Sequence, residues 1–254
     1  MNQGHQGRHA LITGGGTGIG LGIARMLAAQ GAQVTITGRR ADVLAQAAAG
    51  TPGLHPLAMD VADEASVVTG IASAIAARGP VTICVANAGI AEGKSMAKMD
   101  MAFWRNMMAI NLDGAYLTVR ECLGGMLAQG FGRTIFVSSV AGLKGLKGAP
   151  AYTASKHGMI GLMRGLSEDY LGMGLTFNAL CPGYTETDIV IRNTESIAAR
   201  AGIDPQKARD MMVKTNRHKR LVTVEEVAAA ANWLCGPGSD SINGQMIEIA
   251  GGQM

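Results

Sequence analysis

The feature that most limits how this chain can fold is a regular alternation of short β-rich runs with helical stretches along its whole length. His9–Thr13, Gln33–Thr37, Leu54–Met59, Val81–Ala86, Thr134–Ser138, Leu175–Leu180 and Met246–Ile249 read as strands. Ile19–Gln30, Ala41–Ala48, Asp63–Arg78, Met101–Gln129, Ala151–Leu171 and Val224–Leu234 read as helices. Several strands are apolar at successive positions, as in Val81-Thr-Ile-Cys-Val-Ala. Such a strand has both faces to bury, which a parallel sheet with helices on both sides accomplishes. The expectation is one α/β domain over residues 1–254, a doubly wound parallel sheet of about seven strands. Only the polar segment from Thr185 to Arg220 interrupts the alternation, after the sixth strand, where a substrate lid fits.

Composition narrows the partners. A net charge of +3 with 16% charged residues leaves no basic stripe for nucleic acid or a membrane surface. No apolar run is long enough to span a bilayer, and the polar start from Met1 to His9 does not read as a signal peptide. Cys84, Cys122, Cys181 and Cys235 lack disulfide or metal spacing and read as reduced core thiols of a cytoplasmic protein.

Ligands of a doubly wound sheet bind at the carboxyl ends of its strands, and three chemical signals fall there. Thr13-Gly14-Gly-Gly-Thr-Gly18-Ile-Gly20 follows the first strand and opens a helix, so its glycines let the backbone approach a pyrophosphate held by the helix N-terminus. Thr37-Gly38-Arg39-Arg40 ends the second strand without the carboxylate that would grip both ribose hydroxyls of NAD. A guanidinium there matches a 2′-phosphate, so NADP(H) is expected over NAD(H). Ser139 ends the fifth strand, and Tyr152 and Lys156 follow it one helical turn apart. Stacked on one face, the ammonium is expected to lower the phenol pKa and make Tyr152 a general acid.

Together these residues resemble the short-chain dehydrogenase/reductase family, in its single-domain branch of about this length, over nearly the whole chain. The glycine turn is similar to T-G-x-x-x-G-x-G, Asn87-Ala88-Gly89 to N-A-G, Tyr152-x-x-x-Lys156 to Y-x-x-x-K, and Pro182-Gly183 with Thr187 to P-G-x-x-x-T. The resemblance implies a Rossmann-type sheet of order 3-2-1-4-5-6-7. It implies that Tyr152 protonates a carbonyl oxygen that Ser139 also binds, while hydride passes between nicotinamide and the carbonyl carbon. Lys156 would tune Tyr152 and bind the nicotinamide ribose, and Asn111 would hold a water relaying protons to Lys156. The cofactor would contact Gly14, Thr17, Gly18, Ile19, Gly20, Arg39, Asp60, Val61, Asn87, Ala88, Gly89, Tyr152, Lys156, Pro182, Gly183, Thr185 and Thr187. Two departures, Ala86 before the N-A-G and no acid before Gly251-Gly252, leave the chemistry untouched.

The function expected is interconversion of a ketone and a secondary alcohol, with a 3-oxoacyl or hydroxyacyl thioester as one substrate class. In the lid, Met211-Met212 and Ile189-Val-Ile offer an apolar wall, while Arg192, Arg200, Arg209, Lys214, Arg217, Lys219 and Arg220 form either a basic docking edge or a solvated face. A cofactor-sensing regulator on the same fold is the rival reading, against which all four catalytic positions are present. An epimerase or dehydratase would need a longer chain. Apolar residues on several sides of the long helices, including Met159, Leu162, Met163 and Leu166, predict a homo-oligomer, a dimer or tetramer.

Overall fold

The computed structural model describes residues 4–187, 190, 194–195, 198 and 202–252. The seven strands are β1 (His9–Thr13), β2 (Gln33–Gly38), β3 (Leu54–Ala58), β4 (Val81–Ala86), β5 (Gly132–Val137), β6 (Leu175–Pro182) and β7 (Met246–Ile249). They form one sheet in the order β3-β2-β1-β4-β5-β6-β7. Every neighbouring pair runs parallel. The expected architecture and strand order are therefore observed.

Alternate positions of the central strands feed two separate cores. Ile12, Ile36, Ile83 and Val85 pack on one face beneath α1 (Gly18–Ala29), α2 (Ala41–Ala48) and the last helix, Val224–Cys235. Leu11, Cys84, Phe136 and Phe177 pack on the other beneath α3 (Glu64–Arg78), with Met126, Met159 and Met163 of two further helices. The double-sided apolar pattern of the strands thus has its cause in two covered faces. All four cysteines are buried and unpaired. Among the described residues, no helix is long and apolar enough to cross a membrane.

The stretch Met101–Gln129 is not the single regular helix expected. It is α4 (Met101–Met108), a π-helical turn at Ala109–Asp113, and α5 (Gly114–Gln129). Hydrophobic spacing alone cannot show one widened turn, because the apolar pattern continues through it. Gly114 lies where Val61 presses closest: a Cβ there would stand 2.8 Å from the Val61 Cβ. The next helix, α6 (Pro150–Asp169), begins on a proline and carries Tyr152 and Lys156 in its first turns. Met159 and Met163 on α6 are fully buried in the chain's own core, and Leu162 and Leu166 pack against it. The apolar breadth of that helix is accounted for within one chain.

The lid segment holds helix α7 (Pro205–Thr215), and the chain returns to the sheet through α8 (Val224–Cys235). Ile189, Ile191, Arg192 and Arg200 lie outside the described residues. Both feet of the lid are tied together. Thr185 bridges Val222, Glu186 N donates to the Val222 carbonyl at 2.9 Å, and Val222 N donates to the Tyr184 carbonyl at 2.9 Å.

Candidate active site

A cleft of about 1180 Å³ opens along the carboxyl ends of β1, β2, β4, β5 and β6. It is where the doubly wound topology places a ligand site. At its floor, Thr13 holds the glycine turn to β4: its hydroxyl accepts from Asn87 N and Ala88 N, each at 3.0 Å. The Asn87 amide donates in turn to the Thr13 carbonyl at 2.8 Å and the Gly14 carbonyl at 3.3 Å. Gly14 (φ +64°) and Gly18 (φ +52°) have left-handed backbones that favour glycine, and both line the cleft. Thr17, the N-cap of α1, makes no side-chain cap bond, so the first-turn N–H groups have no side-chain acceptor there.

Gly20 stands behind the turn. It does not line the cleft; a Cβ on it would stand 2.4 Å from the Gly14 carbonyl oxygen and 2.5 Å from Asn87 Nδ2. Its contribution is to let α1 pack onto the turn. The other expected cofactor positions, Gly14, Thr17, Gly18, Ile19, Arg39, Asp60, Val61, Asn87, Ala88, Gly89, Tyr152, Lys156, Pro182, Gly183, Thr185 and Thr187, all border the cleft. Arg39 is exposed at the end of β2 and has no ion-pair partner among the described residues. Asp60 spends one carboxylate oxygen on Ala62 N at 3.0 Å. The glycine cradle, the uncapped α1 start and the free Arg39 guanidinium fit a dinucleotide with a 2′-phosphate.

Ser139 and Tyr152 converge at the far end. Ser139 caps a short 3-10 turn, its Oγ accepting from Ala141 N at 3.1 Å, and is 9% exposed. Ser138 Oγ donates to the Lys156 carbonyl at 3.1 Å, which seats α6 against the end of β5. Burial pushes the Tyr152 phenol above its ordinary value, against the hydrogen bond with Ser139 that lowers it. Lys156 Nζ lies 5.9 Å from the Tyr152 ring centroid and donates to the Val137 carbonyl at 2.9 Å. Burial lowers Lys156 to about 8. The expected depression of the phenol by the lysine is therefore not what the protein alone shows. Desolvation outweighs charge here because Lys156 is almost shut from water, Tyr152 is half-buried, and the ammonium is turned to a backbone acceptor.

Asn111 lies deeper. It is fully buried behind Ile90 and does not border the cleft. Its Oδ1 accepts from Ile90 N at 2.8 Å, and its Nδ2 donates to the Ile90 carbonyl and Ser155 Oγ, each at 3.0 Å. The missing side chain of Gly89 leaves a point 3.1 Å from Asn111 Oδ1 and 3.5 Å from Lys156 Nζ. Both groups thus lie close to the Gly89 backbone.

The substrate end is walled by Leu146, Tyr184, Val190 and Met212, with Glu92 and Lys147 at the rim. Of the basic lid residues, Arg209 pairs with Glu186 at 3.4 Å and Arg220 with Glu226. Those two cations are thus already occupied. Tyr184 and Asn216 escaped sequence reasoning. Tyr184 falls at a variable position of the P-G-x-x-x-T segment, and Asn216 stands 32 residues from the backbone it holds.

The family model described as short chain dehydrogenase matches residues 8–198. Granaticin polyketide synthase putative ketoacyl reductase 1 of Streptomyces violaceoruber is 35% identical over 249 residues, 96% of this chain and 92% of that protein. Acetoacetyl-CoA reductase of Rhizobium meliloti (strain 1021) is 34% identical, covering 97% of this chain and 98% of that protein. A crystal structure of an actinorhodin polyketide ketoreductase variant with NADPH superposes with a TM-score of 0.93 at 30% identity, covering 96% of both chains.

Proposed function

The chain belongs to the short-chain dehydrogenase family, and from that we propose that it is an NADP(H)-linked reductase of ketones to secondary alcohols with Tyr152 as the proton donor. The observation that carries this reading is the meeting of the Ser139 and Tyr152 hydroxyls in one cleft with the buried Lys156. When bound, the dinucleotide would supply hydride to the carbonyl carbon. Tyr152, raised by burial, holds its proton at neutral pH and meets the carbonyl oxygen as an acid. Ser139 donates a second hydrogen bond to that oxygen as negative charge develops on it. Lys156 is protonated at neutral pH and stands beside the phenolate that the transfer leaves. Asn111 locks the Ile90 loop, and its Oδ1 and the Lys156 ammonium both lie near the Gly89 backbone, so a water bridging them would complete a proton relay.

Arg39 supports the choice of NADP(H), and so does the NADPH in the actinorhodin ketoreductase crystal. A 3-oxoacyl substrate, carried as a thioester, agrees with the apolar wall of Leu146, Val190 and Met212 and with the acetoacetyl-CoA reductase among the relatives. A homo-oligomer, dimer or tetramer, would bury the exposed Val68, Tyr116 and Leu127. The test is a panel of ketones, 3-oxo esters and 3-oxoacyl thioesters assayed for NADPH and NADH oxidation. Turnover of 3-oxo compounds with NADPH favoured supports the reading, and no oxidation with any carbonyl compound defeats it.

A further inference from the structure

The cleft contains a second phenol that the proposed chemistry does not use. Tyr184 follows Gly183 at the end of β6, lines the same cavity as Ser139, Tyr152 and Lys156, and is only partly exposed. Its ring packs against Val190, Met212 and Leu221 of the lid. Its hydroxyl has no hydrogen-bond partner among the described residues and is not one of the buried unpartnered atoms, so solvent reaches it, on a residue that lines the cavity. A hydroxyl on an apolar wall, open to the space where a substrate lies, costs affinity for a purely apolar occupant and favours one that accepts a hydrogen bond.

The backbone of Tyr184 is held with unusual completeness. Asn216 Oδ1 accepts from Tyr184 N at 3.0 Å, and Asn216 Nδ2 donates to the Tyr184 carbonyl at 2.9 Å and to the Arg220 carbonyl at 2.7 Å. Asn216 is fully buried, and a Cβ on Gly183 would stand 2.4 Å from its Oδ1, so the amide occupies the room that glycine leaves. Val222 N donates to the same Tyr184 carbonyl at 2.9 Å. Arg220 is tied to Glu226, which caps α8 through Thr223. Where the lid leaves the sheet and where it returns, the chain is therefore fixed by one carboxamide. The Tyr184 side chain projects from that fixed point.

Resting on the reading of this cleft as a carbonyl reductase site, we propose that the Tyr184 hydroxyl binds a second oxygen of the substrate, next to the carbonyl that Tyr152 and Ser139 engage, and that Asn216 is the positioning residue that aims it. The substrate class this selects carries an oxygen acceptor close to the reacting ketone, as 3-oxo esters and thioesters do. A simple ketone of equal length fills the same wall without engaging the hydroxyl.

The test compares ethyl 3-oxobutanoate with heptan-2-one, which match in chain length and differ in the ester oxygens, using NADPH and NADH in turn. For Tyr184→Phe, the ratio of kcat/KM for the ester to that for the ketone falls about tenfold, through KM, as loss of one hydrogen bond predicts. Asn216→Ala lowers the same ratio. The double variant Tyr184→Phe/Asn216→Ala shows no larger loss than Tyr184→Phe alone, because the amide acts through the phenol. A ratio unchanged in Tyr184→Phe overturns the role of the hydroxyl. A fall in Asn216→Ala that adds fully to that of Tyr184→Phe removes Asn216 as its positioning residue. Wild-type protein that reduces neither probe with either cofactor overturns the reading of the cleft and this inference with it. Wild-type turnover with an unchanged ratio overturns the inference alone.

Discussion

Lys156 Nζ stands 5.9 Å from the centre of the Tyr152 ring and gives its hydrogen bond to the Val137 carbonyl instead. The two residues share a helical face, as their spacing requires, yet in the protein alone burial dominates both. A site that hides a cation before anything arrives to share its charge holds that cation at a cost to stability.

That cost has a definite pH window. Lys156 falls from 10.5 to about 8 on folding. The folded state therefore disfavours the charged form: the penalty is complete below about pH 8 and fades as pH rises toward 10.5. Lys156→Met removes the group, so wild type gains stability relative to the variant across that window, by about 3 kcal/mol at most. Urea unfolding of both proteins at pH 7, 8, 9 and 10 measures the difference. A gap that stays constant with pH contradicts the burial account.

Two glycine substitutions separate packing from helix propensity. Gly20→Ala drives a Cβ to 2.4 Å from the Gly14 carbonyl oxygen. It should destabilise the fold by about 2 kcal/mol or more and weaken dinucleotide binding by displacing the turn. Gly165→Ala lies at an exposed position of α6, where a Cβ meets nothing, and should stabilise by about 0.5–1 kcal/mol. Denaturant midpoints and cofactor titration test both. Equal effects of the two changes would show that Gly20 is an ordinary helix residue.

Arg39→Asp places a carboxylate at the exposed end of β2, where it repels a 2′-phosphate and accepts from ribose hydroxyls. The expected outcome is a loss of at least tenfold in kcat/KM with NADPH and a gain with NADH, a swing of more than about 1.4 kcal/mol. The KM for NADPH of the wild type should also rise with salt, since the guanidinium is exposed. Steady-state kinetics at two ionic strengths decides it, and unchanged selectivity removes Arg39 from the site.

Asn111→Leu keeps the approximate volume and deletes the bonds to Ile90 and Ser155. Leaving the Ile90 N–H and carbonyl unpaired should cost about 2–4 kcal/mol along with turnover. Thermal unfolding read beside kcat shows which function dominates. A variant with native stability and a lowered rate would assign Asn111 to the proton path alone.

The strand order was legible through the family resemblance, and the two-faced core and the gathering of Ser139, Tyr152, Lys156 and the glycine turn were legible because each follows from local pattern plus the rule that sites form at strand ends. Asn111 was legible as a residue, but its hydrogen bonds to Ile90 and Ser155 were not. A π-helical turn shifts the apolar spacing by a single residue, which a helix apolar on several sides does not reveal. The packing of Gly20 was not legible, because sequence cannot distinguish a glycine facing a ligand from one facing Gly14 and Asn87. Asn216 and Tyr184 were missed for a further reason. Their meeting is long-range, closed only when the lid returns to the sheet. The direction of the Lys156 and Tyr152 shifts was also illegible, since desolvation depends on depth and spacing reports only proximity.

The central claim is that Tyr152 donates the proton in carbonyl reduction, and Tyr152→Phe tests it most directly. Single-turnover oxidation of NADPH by the variant, on the carbonyl compound the wild type reduces best, is predicted to slow by at least about a thousandfold, in line with removal of a positioned general acid. Dinucleotide affinity by fluorescence titration is predicted to stay within about threefold of wild type, because one hydroxyl carries little of the binding. A variant that keeps near-normal turnover would contradict the account.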